Sequence, residues 1–333
     1  MRLRGKEIQL ALAVTLLAGA AGFAGTVKQR DELQAARAAF EKSDYARAVQ
    51  ELQAAAAKEP QDGDIQLLLT KSFIELQQQD AAIRSAERAV AIDPRNSVYH
   101  EWLGKAYGEK ASHASLFSAL GLARRTQREF QTAVDLDDHN FSARQALIEF
   151  ECSAPGIAGG GEDKAKIQIE QLRTQDAAEW HYALGNCRRQ KKDFAAADEE
   201  FHQALESHPK SAELIYDVGD YAVKREQGDE LLEVAALGER AAPADPRGKY
   251  YRAVGAILKK ERLEEAEKLL REYLETAPKR TAYPRYAVAH SWLGRLYEEK
   301  GDRGAAVREY QTALQLEPKN RVARDSLQRV EKN

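Results

Sequence analysis

Two cysteines, seven histidines and one glycine-rich stretch are the features of this 333-residue chain whose types and spacing could do chemistry. Cys152 and Cys187 do not form a CxxC pair, and two thiols alone cannot complete a four-ligand zinc site. They remain as half-buried free thiols or, in an oxidising compartment, as a disulfide, provided their Cα atoms come within about 7 Å. No HExxH places two histidines for a metal, and no GxSxG, Walker A or dinucleotide fingerprint is present. The stretch 154–165, APGIAGGGEDKA, could turn its amides into an anion-binding nest beside Lys164. It lacks the GK[ST] ending that sets a lysine and a hydroxyl on a nucleotide and its magnesium, and no general base or nucleophile is paired with it. A structural loop between helices is the plainer reading. These residues name no catalytic group, no metal ligand set and no cofactor, so the expectation is a binding protein and not an enzyme.

The elements that must position such residues are helices. Alanine, leucine, glutamate, lysine, arginine and glutamine dominate, proline is scarce at 9 residues, and β-branched residues are sparse. A net charge of −3 and a pI near 6.2 give no basic field of the kind that concentrates proteins on nucleic acid, which is discounted as a partner.

Residues 1–24 carry a different pattern. A basic start, Met1 to Lys6, precedes an apolar run from Ile8 and small residues that offer cleavage sites ending at Ala20 or Ala24. That order matches a secretory signal peptide and predicts a periplasmic or secreted protein. The alternative is an uncleaved inner-membrane anchor, since Ile8 to Val27 reaches the roughly 20 residues needed to span. Gln9 and several glycines weigh against that alternative, and membrane contact is expected through this segment only. A lipidated cysteine is excluded because no cysteine lies near the cleavage region.

A repeat organises the remainder. From Ala287 to Asn320 the chain reads AVAHSWLGRLYEEKGDRGAAVREYQTALQLEPKN. Leu293-Gly294, Tyr297, Ala306, Tyr310, Ala313 and Pro318 stand at the spacing of the tetratricopeptide signature, with His290 where tryptophan is frequent. The chain resembles that family over nearly all of 29–320, in about eight copies. Pro60 and Pro94 lie one 34-residue period apart. Further copies are marked by Leu103-Gly104 with Phe130 and by Leu184-Gly185 with Phe201. Insertions are expected near 112–122, 153–161 and 281–286, and the amphipathic tail 321–333 reads as a capping helix. The resemblance implies an all-α fold, an α-solenoid that winds helix hairpins into a right-handed superhelix. His100, His181 and His290 share one repeat position, which favours packing between helices over convergence on one ion.

The resemblance also implies a protein or peptide partner held on the concave face lined by the first helix of each repeat. On that register Arg37, Lys71 and Lys105 form a basic ladder at 34-residue intervals. Later equivalents are Glu149, Asn186 and Asp220, joined by Glu179, Glu213 and Asp217, until Arg295 returns positive charge. Trp102, Tyr182, Tyr216, Tyr251 and Trp292 interleave as aromatic surfaces of the kind favoured at binding hot spots. The functional reading is a scaffold or adaptor with a groove of two signs, in the cell envelope. Solvated faces with local ion pairs are the plain alternative. The alternative from another class is a carrier of a lipid or other apolar ligand inside the superhelix, which predicts a deep apolar pocket for which the Leu116-Phe117 insertion offers a roof. Leu33 and Leu67 occupy positions where the family's chaperone-tail clamp would need polar side chains, so that specialisation is not expected.

Overall fold

The computed structural model describes residues 33–332, so the signal or anchor segment lies outside the described residues. Among the described residues there is no strand, and no helix is long and apolar enough to cross a membrane. The chain divides into two compact units, one ending at Asp137 and the other beginning at Asp138. The first holds α1 (33–41), α2 (Tyr45–Lys58), α3 (Gly63–Glu75), α4 (Gln79–Ile92), α5 (Ser97–Ser112) and α6 (Leu116–Leu136). The second holds α7 (Phe141–Ser153), a 3-10 turn at Gly156–Ala158, α8 (Glu162–Gln175), α9 (Ala177–Gln190), α10 (Phe194–Glu206), α11 (Ala212–Arg225) and α12 (Gly228–Ala241). It continues through α13 (Arg247–Lys259), α14 (Leu263–Thr276), α15 (Tyr286–Glu299) and α16 (Arg303–Leu316) to α17 (Arg321–Lys332).

Capping residues set where these helices begin. Helix N-termini leave unpaired amides, and an Asp, Asn or Ser just before the first turn accepts from them. Asp62 Oδ1 takes the amides of Asp64 and Ile65 at 2.9 and 3.1 Å, and Asn96 takes those of Val98 and Tyr99. Asn140, Asp176, Asp193, Ser211 and Asp302 do the same for α7, α9, α10, α11 and α16.

Within each unit successive helices pack as antiparallel hairpins, and one recurring pair fixes how closely the two arms approach. A Cβ on Gly104, Gly185 or Gly294 would stand 2.5–2.7 Å from the ring of Phe130, Phe201 or Tyr310, so the aromatic ring uses the space that the glycine leaves. A second pair recurs beside it. His100, His181 and His290 each meet a glutamate of the facing helix through Nδ1, at Glu129, Glu200 and Glu309, with separations of 2.7, 2.8 and 2.7 Å. The chain distance between partners is 19 residues in the latter two and 29 in the first, which measures the insertion as ten residues. The histidines are thus arm-to-arm ties.

The inserted residues do not form a loop. They lengthen the hairpin, giving α5 16 residues and α6 21, joined by a short turn. Residues 116–125, LFSALGLARR, are rich in good helix formers, so the extra chain continues the helix. Leu116 and Phe117 at its tip are 75% and 89% exposed. At the other end, α17 seats Ala323 and Val330 against Ala306, Tyr310 and Ala313 of α16.

Candidate functional site

The basic ladder lies in the first unit. Arg37 is exposed on α1. Lys71 on α3 and Lys105 on α5 both place their ammonium groups against the Trp102 indole, 4.7 and 4.6 Å from its centre. Cation–π attraction holds each lysine, but two like charges on one ring repel. Lys105 is offset by Glu101, 2.6 Å away one helical turn back. Lys71 forms no such pair among the described residues, and partial burial together with Lys105 pushes its ammonium below the ordinary lysine range. The arrangement is a half-buried positive charge beside a flat apolar ring, with Glu101, Asp64 and Glu41 acting on it without pairing directly.

The acidic face lies in the second unit, on α7, α9 and α11. Glu179 is 8% exposed, and its carboxylate accepts from Gln145 Nε2 at 2.8 Å. Loss of water, with Asp176 and Asp217 nearby, pushes it up to about 7. Asp217 accepts from the Tyr182 hydroxyl at 3.0 Å, and Asp220 from the Tyr251 hydroxyl at 2.8 Å. Both aspartates are open to solvent, yet protein surrounds them closely enough to disfavour charge. Asp217 is pushed up to about 6, by desolvation first and then by Asp220 and Glu213, and Asp220 is also raised.

Of the cations nearby, Lys224 is exposed one helical turn beyond Asp220, whereas Arg247 is held in ion pairs. Arg247, 3% exposed, grips both oxygens of Glu213 at 2.8 Å and pairs with Asp245 at 2.7 Å. Its guanidinium lies over the rings of Tyr216 and Tyr283, 4.3 and 4.7 Å from their centres.

Three sequence expectations change here. Tyr216 and Tyr251 are each 1% exposed, so their rings fill the core and offer no surface, although Tyr251 reaches the face through its hydroxyl. Asn186 is 4% exposed, so it too lies beneath the face. The glycine-rich loop is no open nest: the amides of Gly159, Gly160 and Gly161 donate to Gly156, Pro155 and Glu151 carbonyls, and Lys164 Nζ to the Gly159 carbonyl. Gly160 is required there, since a Cβ would fall 1.9 Å from the Ala154 carbonyl oxygen.

Trp292 and Arg295 line a cavity of about 640 Å³ between α11, α15 and α17, in which Val288 and Val322 alternate with charged groups. Arg295 stacks 5.1 Å from the Trp292 ring centre and pairs with Glu226 at 2.6 Å, so its charge is offset within the chain. Cys152 on α7 and Cys187 on α9 are joined as a disulfide with Cα atoms 5.5 Å apart.

Gln145 and Arg247 were not among the residues the sequence singled out, yet the period held the signal for both. Gln145 and Glu179 lie 34 residues apart, as do Glu213 and Arg247, while Tyr182–Asp217 and Cys152–Cys187 lie 35 apart. One period along the chain is one step sideways between neighbouring first helices.

No curated protein matches the sequence. Among solved structures, the chain is similar to the C-terminal part of a TPR repeat-containing protein from Cytophaga hutchinsonii (18% identity, TM-score 0.40, 89% of this chain and 99% of that one). It is also similar to a tetratricopeptide repeat protein from Parabacteroides merdae (12%, 0.41, 92% and 99%). A third likeness is to the Cut9–Hcn1 hetero-tetramer of the APC/C (15%, 0.48), where it covers 89% of this chain and 54% of that one. Tetratricopeptide repeat family models match residues 39–106, 181–211 and 287–320, the last with the bounds of the C-terminal copy read from sequence. With matched hairpins in both of its units, the chain belongs to the tetratricopeptide-repeat family.

Proposed function

We propose that the protein is an interaction scaffold of the cell envelope, and that the Lys71–Trp102–Lys105 face binds an acidic segment of a protein partner. Tetratricopeptide repeats are in general non-catalytic surfaces for protein partners, and this is the coarse reading the family supports. The single observation that carries the finer one is Lys71, a partly desolvated ammonium in no ion pair among the described residues, set on an indole beside a second lysine. A carboxylate of the partner would complete the charge and cover the ring, combining a charge-assisted contact with an aromatic anchor.

The envelope location is supported by the order of residues in 1–24 and by the Cys152–Cys187 bond, since structural disulfides persist in oxidising compartments. Affinity purification of the full chain with cross-linking tests the binding reading. Reversing Arg37, Lys71 and Lys105 to glutamate is expected to lose the partner, and unchanged recovery from a variant of native circular dichroism would sink it.

A further inference from the structure

The end of the α5–α6 hairpin is the part of the first unit that the repeat does not account for. Ala89 in α4 and Ala133 in α6 hold the same repeat position, and the carbonyl of each accepts from its helix's C-cap amide, so the two helices end alike. Their starts differ. Counted back from that shared end, Gln79 of α4 corresponds to Ala123, and α6 begins seven residues earlier, at Leu116. Seven residues of helix reach about 10 Å. We infer that this extension is a foot for an anionic lipid bilayer: Leu116 and Phe117 enter below the headgroups, while Arg124 and Arg128 stay at the level of the lipid phosphates.

Three features of the extension agree on that occupant. The first is apolar exposure. Leu116 and Phe117 are the two most exposed large apolar side chains among the described residues, and they are adjacent in the chain. Interfacial binding grows with buried apolar area and with attraction to anionic lipid, so a pair this small calls for charge as well.

The second feature supplies that charge. Residues 110–128, KASHASLFSALGLARRTQR, hold four Lys or Arg and no acid over 19 positions, in a chain with 53 Asp and Glu. Lys110 is offset by Asp80 at 2.5 Å, and Arg125 lies 5.5 Å from the centre of the Tyr107 ring. Phe117, Gly121, Arg124 and Arg128 follow one another at spacings of four, three and four, which puts them on one stripe of α6. All four are exposed, and a Cβ on Gly121 would meet open space. Arg124 and Arg128 lie about 10 and 16 Å behind Phe117 along the axis, and helical side chains lean toward the N-terminus, here toward the tip. Their guanidinium groups therefore trail the ring at headgroup depth.

The third feature is the helix end itself. α6 starts without a side-chain cap, the Ser115 hydroxyl being turned to Ser118 Oγ at 3.2 Å. The positive end of a 21-residue helix thus stands at the tip, where lipid phosphates would meet its amides. A bilayer presents an apolar interior beneath a sheet of phosphates, which is the order in which apolar and basic groups succeed one another along this stripe.

The chain's two cysteines are both held in the disulfide, so Ser118→Cys adds the sole free thiol for an environment-sensitive nitrobenzoxadiazole label. With the labelled full chain, vesicles of phosphatidylethanolamine and about one third phosphatidylglycerol are expected to raise the emission about twofold with a blue shift, and phosphatidylcholine vesicles to leave it unchanged. Leu116→Ser/Phe117→Ser in the same background should abolish the rise and keep a native circular dichroism spectrum, since both side chains are already exposed. Arg124→Gln/Arg128→Gln should weaken vesicle binding about tenfold at low salt and by little at high salt.

The inference rests on no reading of the basic ladder. Lys71→Glu/Lys105→Glu should therefore leave the vesicle response intact, which keeps failure here distinct from failure of the basic-face reading. No emission change with anionic vesicles would overturn the inference, as would an equal rise with phosphatidylcholine or an undiminished rise in the serine variant. A rise that follows protein concentration without lipid would make a second copy of the chain the occupant, and a rise with lipid-free envelope proteins alone would make it a protein partner. Either result overturns the bilayer assignment.

Discussion

Glu179 is a carboxylate held where it is uncomfortable. Its pKa in the fold, about 7, stands above the ordinary glutamate value near 4.3, so folding favours the protonated form. The sign follows: the cost is absent below about pH 4, grows between the ordinary and the raised value, and is complete above about pH 8. Glu179→Gln removes the charge and keeps an oxygen for Gln145 Nε2. It should therefore stabilise the protein by roughly 1–3 kcal/mol at pH 8 and by little at pH 4, measured by urea unfolding at both values. Equal effects at the two pH values would contradict the desolvated carboxylate.

At the scale of the helix, the glycine–aromatic pair decides hairpin closeness. In Gly294→Ala the new methyl would sit 2.5 Å from the Tyr310 ring, which is 1% exposed and cannot swing away. Alanine favours helix over glycine by about 1 kcal/mol, while overpacking a core costs about 1–3 kcal/mol, so the net effect should be destabilising. Gly304→Ala on the exposed start of α16 meets only ordinary contacts and should stabilise by about 0.5–1 kcal/mol. Opposite signs for these two substitutions in denaturant unfolding are the check.

The same elements show what a sequence discloses. Helix pairing was legible because leucine, glycine and tyrosine recur on a 34-residue period. The depth of each aromatic was not. Tyr182 and Tyr216 stand one period apart, yet the first is half-buried and the second is covered by Arg247, an arginine whose inward course no periodicity announces. The inserted stretch after Ser112 was visible as extra length, but only its alanine and leucine content hinted that it would extend α5 and α6.

For the molecule as a whole, the period of helix hairpins means that each one leans on its neighbours, and covalent ties add to that in one place. Reducing Cys152–Cys187, which closes a loop of sequence separation 35, should lower stability by about 3–4 kcal/mol on the chain-entropy account, read as a fall in the unfolding midpoint with reductant. No change on reduction would mean that the two helices are held as firmly without the bond. The acidic and basic faces were legible in sign, because charges at one repeat position line up from copy to copy. Which of those charges is already neutralised inside the chain was not, since Arg295 and Arg247 find their carboxylates through the fold.

The bond between Cys152 and Cys187 joins two first helices directly and skips the hairpin arm between them. If the chain is pulled from its ends, tension runs through the sulfur atoms and bypasses everything from Ser153 to Asn186. The glycine-rich loop and α8 then carry no load at all, and roughly 120 Å of contour length stays hidden until the bond is reduced.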